Sequence, residues 1–127
     1  MLKRYPAIFH EAEEGGYWVN FPDFGGSTEG DTLDEAFEMA QDCLSSLLAH
    51  YIEEGLDIPK PTDLKNLKLD EKSFGNYLLI NPEPYLIRTK VIRKSVTVPE
   101  WLAKHAEKAK INFSEVLTEG LRQRLHL

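Results

Sequence analysis

The chain has 127 residues, 42% apolar and 10% aromatic, which is ordinary for a globular protein and fits one medium domain or two small ones. No apolar run approaches the roughly 18–20 residues of a membrane helix, the opening MLKRYPAIFHEAEEGG lacks the pattern of a signal peptide, and the single Cys43 excludes an internal disulfide, so a soluble, reducing, cytoplasmic setting is expected. The net charge of −6 is divided: residues 1–85 hold 6 basic and 17 acidic side chains (−11), residues 86–127 hold 9 and 4 (+5), and the basic tail suits a polyanion that the acidic body repels.

In chain order, RYPAIFHEAEEGGYWVNFPDF reads as a hairpin. Alternation around Ala7 and Phe9 predicts a first strand, EAEEGG a loop, and Tyr17–Phe21 a second strand that Pro22 and Asp23 end. Ser27–Glu29 predicts a weak third strand. Thr32-Leu33-Asp34-Glu35 is a capping box in which the Thr32 hydroxyl accepts a backbone N–H and Glu35 reaches back. Leu33, Phe37, Ala40, Leu44, Leu47, Leu48 and Tyr51 then make an apolar helical stripe, closed by Gly55, with Cys43 as a core residue on its edge. LDIPKPTDLKNLKLDEKS is expected to be mostly loop, and NYLLIN a fourth strand. The order β-β-β-α-β makes a small antiparallel sheet with one helix on a face, an α+β layer pair.

No enzyme chemistry is evident in this segment. A metal-dependent nuclease needs carboxylates converging from strand ends, and the predicted first strand, RYPAIFH, has none; Asp23, Asp31 and Asp34 suit turns and the helix start. His10, His50, His105, His126 and Cys43 show no ligand spacing, so no metal and no cofactor are expected. The paired glycines at 15–16 and 25–26 are turn residues, not a phosphate loop, and the Asn112-Phe113-Ser114 sequon is idle without export.

The tail reads differently. Val96 and Val98 alternate with Ser95 and Thr97, predicting a strand over 92–98. Pro99-Glu100 opens a helix with Trp101, Leu102, His105, Ala106 and Ala109 on one face. Asn112 caps another, with Glu115 three residues on and Val116, Leu117, Leu121 and Leu125 on its buried side. Two such helices are too short for a core, and a lone strand leaves its ladder groups unpaired. Both problems vanish when two chains pair their strands into an antiparallel ribbon enclosed by four helices.

Over about 35 residues, IRKSVTVPEWLAKHAEKAKINFSEVLTEGLRQRL resembles the ribbon-helix-helix DNA-binding family. The resemblance implies a ribbon in the major groove, with Arg93, Ser95 and Thr97 reading base edges opposite buried Val96 and Val98. It also implies a phosphate held at Asn112 and the backbone N–H groups of Phe113 and Ser114. Lys94 departs from a commonly apolar ribbon position, and Lys110 stands where the inter-helix turn often has glycine.

Over nearly its whole length the chain resembles HicB-type antitoxins, most clearly in YWVNFPDFGGSTEGDTLDEAFEMAQDCL, although Gly26-Ser27 stands where that family usually has Gly-Cys. The resemblance implies an α+β chain with a β-β-β-α-β partial RNase H-like domain over 1–84, a linker over 85–91 and a ribbon-helix-helix domain over 92–127. It implies a non-enzyme whose partners are a HicA-type RNA-cleaving toxin and operator DNA; a second copy joins through the ribbon, and a second dimer-forming surface on the N-terminal sheet would make a tetramer. Tyr17, Trp18, Asp23 and Phe24 are the candidate toxin contacts. Two other readings stay open: a stand-alone repressor whose first domain senses a ligand or oligomerises, and a weak nuclease.

Overall fold

The computed structural model describes residues 1–87 and 90–127. These fall into two compact units, Met1–Thr89 and Lys90–Leu127.

The first unit contains β1 (Lys3–Glu11), β2 (Tyr17–Asn20), β3 (Ser27–Gly30), α1 (Leu33–Glu53) and β4 (Ser73–Ile80). The strands form one antiparallel sheet in the order β3-β2-β1-β4. Pro6 is accommodated in β1 because it pairs with Tyr77 of β4 on a stretch that β2 does not reach. The α1 face of the sheet carries Tyr5, Ala7, Phe9, Val19, Phe21, Leu78 and Ile80, which pack against Ala36, Ala40, Leu44 and Leu48. Their spacing of four draws a buried line along α1. It follows the predicted stripe through Ala40, Leu44 and Leu48, with Phe37 and Leu47 partly buried against the core, and departs from it in the first turn, where Ala36 is buried and Leu33 is 38% exposed.

The cap of α1 also differs in one bond. Thr32 Oγ1 accepts from Glu35 N at 3.1 Å as expected, but Glu35 Oε2 accepts from Asp31 N, one residue earlier than a capping box requires. At the other end Gly55, in the left-handed region, donates to the Ile52 carbonyl, and Leu56 donates to that of Tyr51, a Schellman closure.

β1 does not alternate. Tyr5 through Phe9 are all buried, because the connection from α1 to β4 crosses the sheet's other face. Leu64 and Leu67 lie against Gly75, where an added Cβ would come within 3.1 and 3.3 Å of them. Tyr5 Oη donates to Pro59 O, Leu64 N donates to Tyr77 Oη, and Tyr77 Oη donates to Asp63 Oδ1. The connection expected to be loop is therefore an ordered cover with one 3-10 turn, Leu64–Asn66. It leaves the β1–β2–β3 end of that outer face open.

The predicted linker over 85–91 begins inside the first unit. Tyr85 donates to Asp42, and Ile87 N donates to Glu53 Oε1. Arg88 and Thr89 of that linker lie outside the described residues.

The second unit holds α2 (Glu100–Lys108) and α3 (Phe113–Leu125). The strand predicted over 92–98 is absent from the single chain, since an extended segment without a neighbour has no ladder to join. Asn112 Oδ1 accepts from Glu115 N at 3.1 Å and caps α3. Between the helices Lys110 adopts φ 57°, with Lys110 N donating to Glu107 O and Ile111 N to Ala106 O. That is a Schellman turn with lysine at the position glycine favours. Among the described residues no helix is long and apolar enough to cross a membrane.

Candidate interaction surfaces

On the open end of the outer face, the cross-strand pairs His10 with Trp18 and Trp18 with Glu29 set three side chains in one row. The imidazole of His10 stacks on the indole of Trp18, ring centroids 3.7 Å apart and 9° from parallel. His10 Nε2 is 2.6 Å from Asn20 Oδ1, a bond that fixes the imidazole edge. Trp18 remains 42% exposed.

The other residues expected to meet a toxin point elsewhere. Tyr17 packs at the margin of the core. Phe24 sits edge-on between Tyr5 and Tyr51, at 4.8 and 5.1 Å between centroids. The Asp23 carboxylate accepts from Thr62 N at 3.1 and 3.2 Å and from Thr62 Oγ1 at 2.6 Å, so it anchors the crossing connection. Of the four, Trp18 alone is exposed; Tyr17, Asp23 and Phe24 are half-buried. His10 and Glu29 are brought beside it by register, and counting outward-facing positions from buried Phe9 and Val19 reaches both His10 and Trp18.

Titration in this unit follows burial and neighbouring charge. Burial pushes the Tyr5 phenol up, and the Asp23 charge adds to it. Burial likewise raises the Cys43 thiol, with Asp42 contributing, which suits a packed rather than reactive cysteine. The hydrogen bond to Asp42 holds the Tyr85 phenol above its ordinary value, helped by desolvation and by the Asp42 charge. Among the described residues no group of three or more His, Cys, Asp or Glu side chains is placed to hold a metal ion.

In the second unit, Val96, Val98, Leu102, Ile111, Phe113 and Val116 line an apolar groove of about 470 Å³. Lys94 lines it too, whereas Arg93, Ser95 and Thr97 do not, so the extended segment already alternates between groove and solvent. Arg93, Ser95 and Thr97 are exposed, as are Asn112, Phe113 and Ser114 at the start of α3. α2 and α3 bury no side chain in the single chain. Trp101, Leu121 and Leu125 are 66, 54 and 62% exposed, far more apolar surface than a unit of this size leaves in water.

The family model described as HicB_like antitoxin of bacterial toxin-antitoxin system matches residues 5–118. Among curated proteins, Antitoxin HicB 1 of Photorhabdus laumondii is 48% identical over 59 residues, 46% of this chain and 38% of that protein. Antitoxin HicB of Escherichia coli K12 is 41% identical over 64 residues, 50% of this chain and 46% of that protein. These matches span less than half the length of either relative. A chain of a toxin-antitoxin complex from Streptococcus pneumoniae superposes with a TM-score of 0.63 at 27% identity, covering 98% of this chain and 99% of its own.

Proposed function

The chain belongs to the HicB-like antitoxins of bacterial toxin–antitoxin systems, and from that premise we propose that its two units do different work. The first unit, of partial RNase H-like type, binds and silences a HicA-type RNA-cleaving toxin. The second is a ribbon-helix-helix half that pairs with a second copy and binds operator DNA, repressing its own operon. The protein is a cytoplasmic non-enzyme that works without metal or cofactor.

The observation that carries the second half is the groove between the extended segment and the two helices. An extended segment with unmet backbone groups borders an apolar trough lined by Val96, Val98, Leu102 and Phe113. A second copy satisfies both, supplying the ladder and covering the trough. Pairing leaves Arg93, Ser95 and Thr97 on the ribbon's outer side, the side that enters a major groove. The N–H groups of Phe113 and Ser114 at the start of α3 suit a phosphate oxygen.

The charge division supports the first half. A protein that binds RNA presents a basic surface, and a unit at −11 over residues 1–85 attracts it and competes for the place of the RNA. The test is a titration of a HicA-type toxin with this chain, with RNA cleavage as readout, together with sedimentation of the antitoxin alone. Loss of cleavage at a saturating ratio and an assembly of at least two copies are expected. Undiminished cleavage refutes toxin binding, and a folded monomer at micromolar concentration refutes the ribbon.

A further inference from the structure

We propose that Trp18 and Glu29 form a slot for one cationic side chain, an arginine or lysine on the basic face of the toxin. The inference rests on the toxin-binding reading above and says where that contact is made.

The slot follows from register and stacking. Trp18 stands between His10 and Glu29 in its row across the sheet. His10 closes one face of the indole at 3.7 Å. β3 flanks Trp18 on the side away from β1, and there the Glu29 side chain is exposed and makes no hydrogen bond or ion pair among the described residues. A cation between indole and carboxylate meets the negative face of the ring on one side and a charged acceptor on the other.

The surroundings select this ligand over others. Asn20 and Ser27 pair across the neighbouring row, so the patch is polar around one aromatic ring and does not suit an apolar partner. Phosphate is disfavoured by Glu29 and by the charge of the whole unit. The ring is also held in place before any partner arrives. His10 is fixed by Asn20, and stacking on it restrains Trp18, so little side-chain freedom is lost on docking. The basic face of an RNA-binding protein supplies the required chemistry.

The experiment uses the full chain and a HicA-type toxin that it neutralises, inactivated at its catalytic histidine, with affinity measured by calorimetry. Trp18→Ala is expected to weaken the complex about thirty-fold. Glu29→Lys is expected to weaken it about tenfold or more and to slow association, most at low salt. Both variants should keep the operator affinity of the parent. Glu29 is exposed, so its variant decides the matter even where Trp18→Ala lowers stability. Parent-like affinity in Glu29→Lys, while the unaltered chain binds the toxin, overturns the slot and leaves the toxin-binding reading standing. An unaltered chain that does not bind the toxin removes that reading and the slot with it.

Discussion

Asp23 and Thr62 stand 39 residues apart in sequence and meet through both the amide and the hydroxyl of the threonine, the latter at 2.6 Å. The pair fastens the turn after β2 to the connection that crosses the sheet. A carboxylate that accepts two donors in a part-buried place is stabilised by each. Thr62→Val, which keeps the shape and the amide, is expected to cost about 1 kcal/mol, and Asp23→Ala, which also orphans the amide, about 2–3 kcal/mol. Denaturant melts of the two variants check the order. Equal losses would show that the hydroxyl carries all of the bond.

Gly30 brings β3 against the first turn of α1 so closely that a Cβ there would lie 2.5 Å from the backbone nitrogen of Ala36. Backbone does not swing aside as a side-chain tip does. Gly30→Ala should therefore destabilise the first unit by about 1–3 kcal/mol or more, whereas Gly25→Ala, with open space around its Cβ, meets only the cost of its φ of 72°. Thermal melts of both variants give the comparison.

Tyr5 predicts a response to alkali. Its folded-state phenol is raised by burial first and by Asp23 second. The stability this contributes is fully present below the ordinary tyrosine value of about 10 and is lost as pH climbs through the higher folded value. Tyr5→Phe should lower stability at neutral pH by about 1 kcal/mol, through the lost bond to Pro59, and flatten the fall above pH 10. Melting temperatures recorded between neutral and strongly alkaline pH show whether that arm flattens.

Lys110 holds φ 57° at the turn between α2 and α3. Replacement by glycine relieves a left-handed lysine and is expected to stabilise the assembled second unit by about 1 kcal/mol. The same change removes a positive charge. Where that charge meets a phosphate, Lys110→Gly weakens operator and random duplexes alike and lowers the log–log salt slope by about 0.9. Arg93→Ala should behave otherwise, removing about 1–3 kcal/mol of discrimination per copy while leaving random-duplex binding nearly unchanged. A salt series on both duplexes separates the two; unaltered selectivity in Arg93→Ala would remove it from base reading.

What the sequence made legible, and what it hid, divides along the distance over which the cause acts. Caps, turns and the α1 helix were readable because Thr32, Asn112 and Gly55 act within a few residues of themselves. The resemblance of the chain to a known family was readable in the same local patterns. The cover over the outer face was not. Its evidence is a run of leucines that lies against Gly75, a position without a side chain on a strand reached later in the chain. The same cover explains why β1 is buried on both faces instead of alternating. Asp23 was legible as a turn residue but not as the anchor of Thr62, since nothing local joins them. Trp18 was readable as a candidate contact; its placement between His10 and Glu29 needed a strand register that a single sequence does not fix.

The absence of any buried side chain from α2 and α3 has a consequence for how the two halves respond to dilution. The first unit carries its own core, so the fraction of it that is folded does not depend on how many copies are present. For a segment that has a core only when shared, folding and association are one equilibrium, and its stability rises with the logarithm of concentration. On the pairing proposed above, dilution loosens the tail while the sheet and α1 stay intact. On that pairing, one chain holds a part whose structure is constant and a part whose structure reports how much of the protein there is.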